Sequence, residues 1–247
     1  MDVLAVTASW DNWVYLHPYA RHLCWTVDAP DAACVVCNAD NAALKPTHIL
    51  MTHHHADHTG GLLTLKELYG CTVVSSDAER IAGTDIAVTD GDTLKLGDWT
   101  ITVLATPGHT RSSVCYFCTH PTRPPVLYSG DTLFACGCGR LLEGDAETLY
   151  RSLQRLAQLP DETRIYSGHD YIKDNIDFAL TIEPDNADLK QLPARLRTGV
   201  GFVGTTLAQE KRCNPFLRCD QPAVRQAVGR DDPVEVFAEL RRRKNRF

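Results

Sequence analysis

Thr52-His53-His54-His55-Ala56-Asp57-His58-Thr59-Gly60-Gly61 crowds four histidines and one aspartate into six consecutive positions. The apolar run just before it, His48-Ile49-Leu50-Met51, reads as a short buried strand, and Leu62 to Leu68 reads as the helix that follows. The cluster is therefore expected on a strand-to-helix loop at the carboxyl end of a strand, where ligand sites of α/β architectures collect. Neutral imidazole and carboxylate are donors that zinc and similar divalent metals accept. In an extended segment, residues two apart point the same way, so His53 and His55 can grip one ion together. Asp57 and His58 fall where the chain turns into the helix and can aim at a second point. The pattern implies two adjacent metals. A solvated loop or an expression tag is the plain alternative, but the tract is internal and bounded by a strand and a helix.

Three later points repeat one grammar, an apolar strand, then glycine, then His or Asp. Ile101-Thr102-Val103-Leu104 leads to Gly108-His109, Val126-Leu127-Tyr128-Ser129 to Gly130-Asp131, and Arg164-Ile165-Tyr166-Ser167 to Gly168-His169. Glycine lets the backbone turn sharply and approach a site closely. Each point alone is weak. In this order, together with the first cluster, they resemble the metallo-β-lactamase superfamily and, within it, the glyoxalase II (hydroxyacylglutathione hydrolase) family. The resemblance runs from Asp11-Asn12-Trp13 to the C-terminal arginines.

That resemblance implies a ligand set. His53, His55 and His109 would bind a first metal, Asp57, His58 and His169 a second, and Asp131 would bridge them. Asp57 and Asp131 would also take part in catalysis. The cofactors implied are two divalent ions, zinc first, with iron or manganese as alternatives that His/Asp donors accept. His17, His22, His48, His54 and His120 match no ligand position, and His54 is expected to face away from His53 and His55.

The chain has 247 residues, enough for one large domain with a small companion. A composition 44% hydrophobic and 23% charged is that of a soluble globular protein. No apolar run approaches the roughly 20 residues a membrane span needs. The opening Met1-Asp2-Val3-Leu4 lacks a basic n-region, so a cytoplasmic location is expected. A net charge of −6 argues against general nucleic-acid binding. The ten cysteines are expected as reduced, mostly buried small side chains. Cys34 and Cys37 lie on a predicted helix. Cys115 and Cys118, three apart in a strand, should face opposite ways, which disfavours a four-cysteine zinc site.

Along the chain, Leu4-Ala5-Val6, Trp13 to Leu16 and Leu23 to Val27 read as strands, and Asp28-Ala29-Pro30-Asp31 as a turn. Residues 32–44 read as a helix with Asp31 as N-cap. Cys71 to Ser75 is a strand. Thr93 to Leu96 and Trp99 to Leu104 form a hairpin turned at Gly97-Asp98. Residues 146–159 form a helix, with Leu149, Leu153 and Leu156 at helical spacing. The fold class expected is α+β, in the superfamily's αββα sandwich. A catalytic domain over 1–170 would be followed by a small helical, glutathione-binding domain over 171–247.

Two cations sharing a water lower its pKa from about 16 to about 7, so hydroxide is available at neutral pH. A thioester suits such a site because its thiolate leaving group, with a parent pKa near 8.5, needs little acid catalysis. Three features of the resemblance point to a glutathione thioester as the small-molecule partner. Arg140, in Gly137-Cys138-Gly139-Arg140, stands where the family carries a basic residue toward glutathione. Tyr171 matches a tyrosine near the glutathione backbone. Arg241 and Lys244, on one face of a helix, match a terminal basic pair for the glycine carboxylate. The implied reaction is hydrolysis of S-(2-hydroxyacyl)glutathione, by a monomer with no nucleic-acid or membrane partner. Two alternatives are a mononuclear-iron persulfide dioxygenase, whose motif also reads His-x-His-Ala-Asp-His, and a metal-stabilised binding protein without catalysis.

Overall fold

Trp13, Val14, Tyr15 and Leu16 are all buried, although neighbours on a strand point to opposite faces. Both faces of that strand must therefore be covered, as in a sheet sealed between layers. The computed structural model describes residues 2–192 and 204–247, and residues 193–203 of the expected helical region lie outside the described residues.

The first sheet runs in chain order from β1 (Leu4–Ala8) through β2 (Asn12–Ala20), β3 (Leu23–Val27), β4 (Lys45–Leu50) and β5 (Thr72–Ser75) to β6 (Ile86–Ala87). The second contains β7 (Thr93–Leu96), β8 (Trp99–Ala105), β9 (Val114–His120), β10 (Arg123–Gly130), β13 (Arg164–Ser167) and β14 (Thr205–Thr206), in the order β14-β13-β10-β9-β8-β7. A separate hairpin, β11 (Leu133–Phe134) with β12 (Gly137–Cys138), follows β10.

Between the sheets lies an aromatic core in which Trp13, Tyr15 and Trp25 meet Trp99, Tyr116, Tyr128 and Tyr166. The outer face of the first sheet, with Val14, Leu16, Ile49 and Val73, packs on α1 (Ala32–Asn41) and α3 (Leu62–Tyr69) through Val35, Ala39, Leu62 and Leu65. The outer face of the second sheet packs on α4 (Ala146–Leu156) through Leu149, Leu153 and Leu156. Phe178, Phe237 and Leu240 of the C-terminal helices, with Phe216 from the 3-10 turn Pro215–Leu217, join that same cluster. These helices are α5 (Ile172–Ile182), α6 (Ala187–Gln191), α7 (Leu207–Cys213), α8 (Pro222–Val228) and α9 (Pro233–Lys244). The architecture is the expected αββα sandwich with a helical C-terminal region, and Cys115 and Cys118 do fall in opposite clusters. All ten cysteines are free thiols. No helix among the described residues is long and apolar enough to cross a membrane.

Two helices are shorter than the sequence suggests. The first stops at Asn41 rather than residue 44, because Ala43 takes a φ of 51° and Leu44 N–H turns back to Ala39 O at 2.8 Å. That reversal is what lets Lys45 open β4. The second stops at Leu156 rather than residue 159, its tail tightening into a turn in which Leu159 N–H reaches Leu156 O at 3.1 Å. Pro160 follows, and the residue before a proline is driven out of the helical region.

Strand directions gather the site. β8 and β10 each pair antiparallel with β9, and β10 pairs parallel with β13, so all three end at one edge. The loop after β4 meets that edge, where Val114 N–H donates to Thr52 O at 3.0 Å. Because α4 seals the second sheet, Leu153→Ala should cost about 2–5 kcal/mol of unfolding free energy. Urea titration measures this, and an unchanged midpoint would contradict the packing described.

Candidate metal centre

His53 and His55 lie on the extended segment after β4, and their rings converge with Nε2 of His53 3.0 Å from Nδ1 of His55. His109, from the loop after β8, brings its Nε2 to 3.1 Å from the same Nδ1. The next turn of chain is a single helical turn, α2 (Ala56–Thr59). It redirects Asp57 and His58 toward His169: Nε2 of His58 and of His169 are 3.2 Å apart, and Asp57 Oδ2 is 3.3 Å from His169 Nε2. Each trio offers donor atoms within 4.8 Å of one another. Asp131 sits between them. Its Oδ1 is 3.4 Å from His58 Nε2, and its Oδ2 is 3.5 Å from both His109 Nε2 and His169 Nε2.

The outer contacts fix which nitrogen carries the proton. His109 Nδ1–H donates to Arg140 O at 2.9 Å, a carbonyl that can only accept. His169 Nδ1–H donates to Asp11 Oδ1 at 2.9 Å, and His58 Nδ1–H to Asp28 Oδ2 at 2.8 Å. His53 Nδ1–H donates to Thr52 Oγ1 at 3.0 Å, whose own hydroxyl donates to Asp28 Oδ2 at 2.8 Å. The Nε2 atoms of these four rings are therefore left as lone-pair donors facing inward, which is the tautomer a metal ligand needs. Asp131 Oδ1 is buried with no hydrogen-bond partner. A buried carboxylate oxygen without a donor is costly, and a cation at that point satisfies it. The donor set thus fits divalent metal ions.

Electrostatics agrees. Burial lowers the pKa values of His53, His55 and His109, keeping them neutral and ready to donate a lone pair. Burial would lower that of His58 too, but Asp131 and Asp28 outweigh it and raise it to about 9. Burial would likewise raise Asp131, yet His58, His169 and His53 hold it far below the usual carboxylate range.

Close approach is enforced by glycine. A Cβ at Gly168 would lie 2.4 Å from Asp131 Oδ1 and 2.8 Å from His58 Cε1. At Gly130, φ is 47° and a Cβ would lie 2.6 Å from Thr52 Oγ1. Both substitutions would push β10 and β13 off the histidine loop.

A cleft of about 510 Å³ opens from His55, Asp57, His109 and Asp131 toward the C-terminal helices. Arg140 lines it, exposed. Tyr171 lines it with its ring stacked on that of His169, centroids 4.9 Å apart. Leu142 lies beside them, 59% exposed. Lys244 reaches in with Nζ donating to Asp174 O at 2.7 Å, over the rings of Phe178 and Phe247. Arg241 is only 4% exposed. Its Nη1 donates to Cys138 O at 2.8 Å and its Nε to Asn245 Oδ1 at 3.1 Å, so only part of the guanidinium is left for a ligand. The structure therefore brings all eleven expected site residues to one cleft or its floor, counting His53, His58 and His169 beneath it.

Histidines expected to be ordinary sit elsewhere. His54 turns away to Glu143 at 3.5 Å, and Arg80 Nη1 lies 3.2 Å from its ring. His17 stacks on Trp25 with ring centroids 3.9 Å apart. Asp28, which the sequence presents as a turn residue, is a further part of the site. Its φ of 56° is the one local oddity, and neither its 2.8 Å bond to Thr52 N–H nor its grip on His58 has a signature in spacing.

Residues 32–169 match the family model described as Metallo-beta-lactamase superfamily, and residues 170–247 the one described as Hydroxyacylglutathione hydrolase C-terminus. A hydroxyacylglutathione hydrolase of Maricaulis maris (strain MCS10) is 49% identical over 230 residues, covering 90% of this chain and 89% of that protein. One of Rhizobium johnstonii is 43% identical over 246 residues, covering 96% of this chain and 95% of that protein. Among solved structures, ETHE1 from Myxococcus xanthus superposes with a TM-score of 0.70 at 29% identity, covering 99% of this chain and 92% of that one.

Because Asp28 orients His58 directly and His53 through Thr52, Asp28→Ala should weaken metal retention about 10- to 100-fold. Competition with a chromophoric chelator reads the change. Retention equal to that of the unaltered chain would show that the two rings hold their tautomers without it.

Proposed function

The chain belongs to the hydroxyacylglutathione hydrolase family of the metallo-β-lactamase superfamily, and from that premise we propose that it hydrolyses S-(2-hydroxyacyl)glutathione thioesters. The observation that carries the reading is the pair of histidine-rich trios joined by Asp131 at the head of a cleft whose far end is basic. In this reading, His53, His55 and His109 would hold one ion, Asp57, His58 and His169 the other, and Asp131 would contribute to both. Two ions fit two complete trios, and imidazole with carboxylate favours zinc over harder cations. Such a pair, when bound, acidifies a shared water and polarises the thioester carbonyl.

The protein's own residues do the rest. Asp57 is 52% exposed at its side chain and faces the cleft, so its carboxylate can orient the attacking water and hold its proton. Asn12 Nδ2 donates to the Asp57 backbone O at 3.0 Å and steadies that turn. Tyr171 covers one face of His169 and keeps bulk water from it. Arg140 and Lys244 offer cations to the carboxylates of the thiol portion, and the thiolate leaves without help from an acid. Arg241 contributes from behind the cleft wall. The division into a catalytic part over 1–170 and a glutathione-binding part over 171–247 belongs to the same proposal. The single-iron alternative has less support, since both trios are complete and the near relatives carry the hydrolase name.

Loss of the thioester absorbance of S-D-lactoylglutathione tests the reaction. Turnover is expected from the zinc-loaded protein, with near-complete loss after chelation or in Asp131→Ala. Absence of turnover by the metal-loaded chain would favour a binding protein. Lys244→Ala removes a charge-assisted hydrogen bond worth about 1.5–3 kcal/mol, so KM should rise about ten- to a hundredfold while kcat holds. A fall in kcat alone would contradict the role.

The same lysine sets a pH dependence. Burial, with Arg241 and Arg140 nearby, pushes its pKa down to about 8 against the pull of Asp174 and Asp177. It is charged below that pH and loses its charge as pH rises through it. KM should therefore climb from about pH 7 to pH 9, and Lys244→Ala should flatten the climb. An identical profile in the variant would mean that another group is titrating.

A further inference from the structure

Between Asp131 and Arg140 the chain makes the β11–β12 hairpin, with Cys136 at its tip at a φ of 55°. Its main chain is met by buried polar side chains from the C-terminal region. Asn175 on α5 donates through Nδ2 to Ala135 O at 3.0 Å. Glu210 on α7 accepts Cys136 N–H at 2.9 Å through Oε2. Asn214, just after α7, donates through Nδ2 to Gly137 O at 2.9 Å and lies 3.3 Å from Phe134 O. It also reaches Glu210 Oε2 at 2.9 Å, locking the two side chains together. Arg241 on α9 donates to Cys138 O at 2.8 Å and lies 3.4 Å from Gly139 O. All six residues from Phe134 to Gly139 thus give a main-chain group to this set. Each of the four side chains is at most 4% exposed.

Under an apolar lid these main-chain groups would be buried without hydrogen-bond partners, a cost the polar side chains remove. What hydrogen bonds add is direction and register. One end of the hairpin carries the Asp131 carboxylate. The other carries the Arg140 carbonyl that fixes the His109 tautomer. There is little slack between the ends, since a Cβ on Gly139 would meet Asp131 O at 1.9 Å and His109 Nδ1 at 3.2 Å. A shift of the hairpin therefore moves the bridging carboxylate relative to His109 directly.

We propose that Asn175, Glu210, Asn214 and Arg241 are positioning residues for the metal centre, through the hairpin they grip from the C-terminal helices. The C-terminal region then has two roles: it faces the thiol portion of the substrate, and it sets the geometry of a site made from the other part of the chain. The inference rests on reading Asp131 and His109 as metal ligands.

Zinc affinity of the full chain, measured by competition with a chromophoric chelator beside a thermal melt, tests it. Glu210→Ala removes the acceptor for Cys136 N–H. Asn214→Ser withdraws both donors yet keeps an oxygen for Phe216 N–H, which Asn214 Oδ1 now accepts at 3.1 Å. Both should weaken zinc retention about tenfold or more. Glu210→Gln keeps the acceptor and should bind zinc as the unaltered chain does. Val228→Ala, a buried truncation on α8, serves as a control that loses stability without touching the hairpin's polar contacts. It should keep its zinc affinity. The proposal is overturned if Glu210→Ala and Asn214→Ser bind zinc normally, or if Val228→Ala loses affinity in step with its stability. Failure of the unaltered chain to take up zinc would overturn the reading of the site and this inference with it.

Discussion

Lone pairs forced to face one another organise this protein. His53 Nε2 and His109 Nε2 both lie within about 3.1 Å of His55 Nδ1, while His58 Nε2 and His169 Nε2 lie 3.2 Å apart. Neutral imidazoles with their protons committed on the outer side cannot all be satisfied by one another. Protonation or a cation must enter, and the buried Asp131 Oδ1 adds a negative charge to the same space. Folding energy is spent assembling this arrangement. The sandwich has to be rigid enough to hold it, which is consistent with an aromatic core between the sheets and close-packed helices on both outer faces.

The surrounding contacts act as a frame. Asp28, Asp11, Thr52 and the Arg140 carbonyl each fix one imidazole from behind. Beside His54, Arg80 bonds Asp77, Glu143 and Ser112, tying three loops together. Below the cleft, Arg241 is drawn inward by the Cys138 carbonyl. One side chain can thereby serve the cleft wall and the ligand it faces. In the proposed reading, the metal-binding floor and the thiol-facing wall of the cleft belong to one continuous set of contacts.

Much of this was legible in the chain. Histidine is scarce, so His53, His55 and His58 with Asp57 stand out at once, and the strand–glycine–ligand grammar locates His109, Asp131 and His169. The sandwich is legible in the strand-rich run interleaved with helices and in the family resemblance. What stayed hidden has a common cause. Asp28 acts on His58 across 30 positions, and its own neighbours read as an ordinary turn. Ala43 ends α1 in a left-handed conformation without the glycine that would advertise it. Asn175 and Glu210 are polar residues in helical stretches and Asn214 follows one; solvent exposure is their natural reading, and only the tertiary fold turns them onto a buried hairpin. Arg241, expected with Lys244 as a basic pair for a carboxylate, is almost wholly inside, with Nη1 on the Cys138 carbonyl.

In the proposed site two cations would sit on either side of the Asp131 carboxylate. Crystals of the zinc-loaded protein, with anomalous difference maps recorded on both sides of the zinc edge, examine it directly. Two peaks about 3.5–4 Å apart are expected, one among His53, His55 and His109 and the other among Asp57, His58 and His169. A single peak, or peaks remote from Asp131, would contradict the account.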